Sequence, residues 1–133
     1  MELKQGYDLL KSNWRYDNKI RRIKYTIAEL RACELPRSGN DGACVQTSKN
    51  SSQIERITLR IVELETELED LLAQKANAIM KIDAALDRLP EGAEKTILYD
   101  FYIGRIPMIK IANSIGYNVK HCYKLRKKGI EML

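Results

Sequence analysis

The sequence predicts an all-α protein: a long antiparallel helical hairpin, coiled-coil in character, followed by a C-terminal helix-turn-helix. Three observations predict it. Ile54, Ile57, Ile61, Leu64, Leu68 and Leu71 recur in steps of three and four, the spacing of a heptad seam. Tyr16, Ile20, Ile23, Ile27 and Leu30 repeat that spacing in a shorter stretch upstream. Between Pro107 and Lys128, Ile111, Ala112 and Ile115 form one apolar face, Gly116 interrupts it, and Cys122 and Leu125 resume it. The chain accordingly divides into a hairpin over 1–89, with a flexible loop over 35–52, and a helix-turn-helix domain over 90–133.

Residues 2–34 read as one helix carrying the first seam. Gly6 weakens its first turn, and Leu9 or Leu10, Asn13 and Trp14 extend the seam upstream less regularly. Arg15, Lys19, Arg21, Arg22 and Lys24 form a basic cluster, read as a solvated face or as pairing with an acidic partner helix in preference to a DNA contact. Pro36 ends the helix. The stretch that follows is rich in Gly, Ser and Asn and reads as loop.

Residues 52–89 read as the longest helix. Ser52 with Glu55 has capping-box spacing. The seam continues through Lys75 and Ala78 to Ile82, Ala85 or Leu86, and Leu89. At about 1.5 Å per residue such a rod is roughly 55 Å long, more than a small domain buries by itself. It needs a partner, supplied by the first helix folding back, by a second copy of the chain, or by both. Charge agrees with the first: residues 1–34 hold 8 Lys/Arg against 5 Asp/Glu, and residues 51–90 hold 5 against 8.

Pro90 breaks the rod. Glu91 to Ile103 reads as a further helix with Ile97, Leu98, Phe101 and Tyr102 inward and Gly104 as its C-cap. Pro107 suits the first turn of the next helix. In the motif itself a small residue at Ala112 lets two helices cross closely. Gly116 permits the positive φ that a tight inter-helix turn needs, and Asn118 can cap the last helix, from Val119 to near Met132.

The net charge of +5 is concentrated at this end: residues 105–133 hold 7 Lys/Arg against 1 acidic residue. A basic helix at the second position of such a motif is suited to a DNA major groove. The candidate DNA-binding residues are Asn118, Val119, Lys120, His121, Tyr123, Lys124, Arg126, Lys127 and Lys128.

Other classes are disfavoured. His121 is the only histidine, no Gly-rich phosphate loop is present, and no nucleophile–base set can be assembled, so an enzyme is not expected. Cys33, Cys44, Cys122 and His121 match no zinc spacing, and Cys122 falls at an apolar position, so neither metal nor cofactor is expected. No apolar run approaches a membrane span and no signal-peptide core opens the chain, which predicts a cytoplasmic protein without a membrane partner.

Four motifs carry a family resemblance: L-P-E at Leu89 to Glu91, I-L-Y-D-F-Y-I at Ile97 to Ile103, I-A-N-S-I-G-Y-N at Ile111 to Asn118, and C-Y-K-L at Cys122 to Leu125. Leu89 to Leu133 resembles region 4 of bacterial sigma factors. It resembles more closely the sigma-region-4-like C-terminus of small phage transcriptional regulators of the ArpU/RinA type. The resemblance implies recognition-helix contacts at Asn118, Val119, Lys120, Tyr123, Lys124 and Lys127, and structural roles for Ala112, Gly116 and Leu125. The chain departs from the pattern at Pro107, where a Ser or Thr cap is common, and at Met108, Ile109 and Lys110, where acidic residues are common. The expected function is sequence-specific binding of double-stranded DNA by a phage or prophage regulator in a bacterial host cell. RNA polymerase is a possible partner, and the long helix is expected to join copies of the chain. The alternatives are a DNA-packaging protein like small terminase subunits, and a coiled-coil interaction or assembly protein.

Overall fold

The computed structural model describes residues 2–34 and 47–133, which are helical with no strand among them. The elements are α1 (Leu3–Lys11), a 3-10 turn (Trp14–Tyr16), α2 (Asp17–Glu34), α3 (Thr47–Asp87), α4 (Ala93–Leu98), a π-helical turn (Tyr99–Ile103), α5 (Met108–Ile115) and α6 (Val119–Glu131). They form two compact units, Tyr16–Gln74 and Met1–Arg15 with Lys75–Leu133. These units differ from a division at 89/90, because α1 and the last third of α3 pack with the C-terminal helices.

In the unit Tyr16–Gln74 the two heptad seams meet. Ile20, Ile23 and Ile27 of α2 bury against Ile61, Leu64 and Leu71 of α3, flanked by Tyr16, Leu30, Ile57 and Leu68. Lys19 pairs with Glu67 at 3.0 Å, and Glu34 accepts from the Thr58 hydroxyl at 3.0 Å. As α2 advances, its partners on α3 therefore step backwards. Arg31 pairs with Glu65. These pairs are exposed, so the apolar seam supplies most of the stabilisation and the charges align it.

The basic cluster over 15–24 is thus partly used inside the fold, through Lys19. Ile54 is 42% exposed instead of seamed. The helix also begins earlier than expected. Thr47–Ser52, read as loop and cap, are the first residues of α3. Ser, Thr and Asn favour turns through side-chain bonds to the backbone. Here, however, they sit upstream of a strong helix, and propagation adds a hydrogen bond for each residue fixed. The rest of the expected loop, 35–46, lies outside the described residues, as does Cys44.

In the other unit the stripe of α3 continues but its partners change. Ile82, Leu86 and Leu89 bury with Leu10 of α1, Leu98, Tyr102, and Ile130 of α6. The single helix expected over 2–34 is therefore broken. Ser12 turns its hydroxyl onto the Leu9 carbonyl at 2.6 Å, Asn13 is buried, and Trp14 enters a 3-10 turn. Trp14 supplies the reason for the break: its indole N–H donates to the Tyr102 carbonyl at 2.9 Å. Its ring stacks on Tyr102 and meets Phe101 edge-on.

Gly6 does not weaken α1. A Cβ there would lie 2.6 Å from the Ile130 side chain, so glycine lets α1 approach α6 closely. The expected helix over 91–103 starts at Ala93, and its last turn is π-helical, with the Gly104 N–H on the Tyr99 carbonyl at 2.9 Å. Gly104 closes that turn in right-handed conformation, and the left-handed residue is Arg105, at φ 56°. Its guanidinium lies 4.1 Å from the Trp14 ring centre, an attraction that can hold a non-glycine residue in this region.

Tyr99 ties the π-helical turn to α3. Its hydroxyl donates to the Asp83 carboxylate at 2.7 Å. Burial first, and this hydrogen bond second, push its phenol up to about 12. Because the raised value favours the neutral phenol, its contribution to stability is complete below pH 10 and is lost as pH rises towards 12.

Deleting the Ile82 side chain to alanine should cost about 2–5 kcal/mol, since it is fully buried. Ile54→Ala should change stability by no more than about 0.5 kcal/mol, as exposed positions do. Urea unfolding of the two variants checks the difference.

Candidate functional site

The candidate surface is built on α5, α6 and the turn between them. A third apolar cluster fixes their crossing: Ile97 of α4, Met108, Ile111 and Ala112 of α5, and Cys122 of α6 are buried together. Ile115, Val119 and Leu125 pack around them. Ala112 is 1% exposed, and its carbonyl accepts both the Gly116 N–H at 2.9 Å and the Tyr117 N–H at 3.0 Å. Gly116 takes φ 79°, the left-handed conformation that its position in the sequence predicts. Asn118 then caps α6, its side-chain oxygen accepting from the His121 N–H at 2.7 Å. Pro107 is the N-cap of α5 and not its first residue; its extended ψ of 143° turns the chain into the helix.

The nine predicted residues separate into two groups. Lys120, Lys124 and Lys127 are exposed on α6 at steps of four and three, with Tyr123 and His121 exposed beside them. These five share a continuous outward surface of α6. His121 meets the exposed Tyr117 edge-on at 5.1 Å. Asn118 is exposed too, but its oxygen is already used in the cap.

The other three point elsewhere. Val119 is half-buried in the third cluster. Lys128 reaches Glu94 of α4 at 3.5 Å. Arg126 is half-buried, its guanidinium 5.0 Å from the ring centre of Tyr123, 5.3 Å from Phe101 and 5.7 Å from Tyr7. Its Nε is enclosed without a hydrogen-bond partner, and so is the Tyr102 hydroxyl. Burial raises the Tyr102 phenol, and the positive charge of Arg126 opposes that shift. The basic run Arg126-Lys127-Lys128 therefore does not form one face: Lys127 is outward, while its two neighbours contact the fold.

Sequence reasoning missed α1 here. Tyr7 lies under the Arg126 guanidinium, and the Lys11 ammonium lies 5.6 Å from the same ring centre. The one available signal was the spacing of four between Tyr7 and Lys11, which puts them on one helical face; nothing in it indicates that this face meets α6.

Chemically the surface offers cations, a tyrosine hydroxyl and an imidazole edge. Among the described residues no cluster of His, Cys, Asp and Glu could hold a metal ion. Cys122 is fully buried and apolar in its surroundings. No helix among the described residues is long and apolar enough to cross a membrane. No protein-family model, curated protein sequence or solved structure matches the chain.

Asn118→Ala removes the cap of α6 and should cost about 1 kcal/mol. Gly116→Ala should cost a similar amount, roughly 1 kcal/mol, through the left-handed backbone alone, because open space surrounds the position. Thermal unfolding followed by circular dichroism checks both.

Proposed function

We propose that the chain is a sequence-specific double-stranded DNA-binding protein, a phage or prophage transcription regulator acting in the bacterial cytoplasm and not an enzyme. In this reading α5, the Gly116 turn and α6 are a helix-turn-helix of the sigma-region-4 kind. The paired seams of α2 and α3 are an antiparallel hairpin that carries it. The observation that supports the reading most is the outward lysine row Lys120, Lys124 and Lys127 on a helix whose other side is locked into a core.

Local electrostatics point the same way. The first turn of α6 contains no acidic residue and does contain Lys120. A cation there opposes the helix dipole and weakens an isolated helix. A bound phosphate reverses that penalty, since exposed N–H groups and Lys120 then face an anion. Phosphate contacts would fix the position of α6 in the major groove, and Lys120, His121, Tyr123 and Lys124 would meet base edges.

Exposed apolar residues along α3 support self-association. Leu59, Val62, Leu72 and Met80 are all outward, Met80 by 68%. A second copy seated on them would present two α6 helices to DNA and raise affinity without any new contact to a base. The same residues leave a second reading open, a packaging or assembly protein, and light scattering separates the two: a dimer favours a regulator, a ring of eight or more favours packaging. Ile109, 61% exposed on α5, is the residue best suited to touch another protein such as RNA polymerase.

Replacing Lys120 and Lys124 together by alanine should abolish sequence-specific binding and leave the helical circular dichroism unchanged. Gel shifts with a duplex selected from a random pool by the wild-type chain check this, and undiminished binding by the double variant would overturn the assignment of α6.

A further inference from the structure

We infer that Tyr7 and Lys11 of α1 and Arg126 of α6 form a clamp for a backbone phosphate of duplex DNA, so that the DNA surface extends from α6 onto the N-terminal helix. The inference rests on the DNA-binding reading of α6 and adds to it a second contact, from an element 88 residues or more away in sequence from the π-turn that anchors it.

Three observations carry it. First, two cations are held against one aromatic ring. Lys11 and Arg126 lie 5.6 and 5.7 Å from the Tyr7 centroid. Neither has a carboxylate within ion-pair distance among the described residues. Two other cations of this unit are paired: Lys95 has Glu91 and Asp87, and Lys128 has Glu94. Two like charges gathered about one ring without a counter-charge repel, and an anion bound beside that ring lowers the repulsion.

Second, the Arg126 head is fixed in advance. Tyr7, Phe101 and Tyr123 surround it, and α1 is held close to α6 by the contact at Gly6. A guanidinium whose orientation is set before binding loses little freedom when it meets a phosphate, and its planar fork suits that anion. Third, the clamp borders the outward row. Tyr123, one of the rings around Arg126, is itself exposed on α6 between Lys120 and Lys127. A duplex resting on that row brings its sugar–phosphate edge alongside. Phosphate is preferred over a carboxylate side chain of a partner protein because the neighbouring outward cations then engage the same polyanion.

The clamp and the reading row differ in what they do. Base-edge contacts discriminate sequences, whereas a phosphate contact weakens or strengthens all sequences alike. The test is a salt series of fluorescence-anisotropy titrations, using the full chain with a labelled selected duplex and a labelled scrambled duplex. Lys11→Gln is the principal variant, because Lys11 is exposed and its loss does not disturb a core. Lys81→Gln, on the exposed surface of α3, is the control for a change of one charge. Lys11→Gln should weaken both duplexes by the same factor and lower the slope of log affinity against log salt by about one; Lys81→Gln should leave the slope unchanged. Arg126→Lys, which keeps the charge but not the planar head, should weaken both duplexes with the wild-type circular dichroism retained. A Lys11→Gln slope and affinity equal to wild type would overturn the clamp while leaving DNA binding intact. Absence of binding by the wild-type chain would overturn both.

Discussion

Trp14 donates its indole N–H to the Tyr102 carbonyl, and much of the C-terminal unit depends on that one bond. Carbonyls in the last turn of a helix lack partners of their own, and a buried one left unpaired is costly. The π-turn at Tyr99–Ile103 presents this carbonyl, and Trp14 satisfies it from the other end of the chain. The stacked rings of Trp14, Phe101 and Tyr102 and the Arg105 guanidinium then close around the contact. Through it α1 packs on α6, Leu10 reaches the core with Ile82 and Leu86, and Arg126 is held among its aromatic neighbours. The backbone strain at Arg105 is the local consequence of turning the chain sharply between this knot and α5.

The long helix α3 shows how one periodic stripe can serve two cores. Its residues keep the same steps of three and four throughout, yet Ile61, Leu64 and Leu71 bury against α2, and Ile82 and Leu86, followed by Leu89 just past its end, against α1, Leu98, Tyr102 and Ile130. Lys75 stands where the two sets of partners change, at the boundary between the compact units. A lysine within an apolar seam weakens packing locally, and here it falls where the seam changes partner.

Periodicity made the all-helical class and both seams legible, because a helix buries residues by spacing and spacing is written in sequence. Short-range chemistry made the turn before α6 legible: Ala112, Gly116 and Asn118 act through bonds within a few residues of themselves. What could not be read is what depends on distant partners. Nothing around Ser12 and Asn13 signals a break until Trp14 finds Tyr102. Gly6 looks like a weakness until Ile130 is opposite it, and Arg126 looks like one more surface cation until Tyr7 arrives beneath it. The start of α3 was hidden for a different reason, since Thr47 to Ser52 have loop composition but helix neighbours. Within the candidate site the outward lysines were legible from charge, and the burial of Val119 and Arg126 and the pairing of Lys128 with Glu94 were not.

The central claim is that the outward face of α6 reads duplex DNA. Its most direct test is selection of bound fragments from a random duplex pool by the purified chain. A recurrent motif, enriched over successive rounds and lost when Lys120 and Lys124 are replaced, is the predicted result, and the spacing of any half-sites would report how copies of the chain are arranged. A selected pool as random as the starting one, at salt low enough for phosphate contacts to hold, would contradict it.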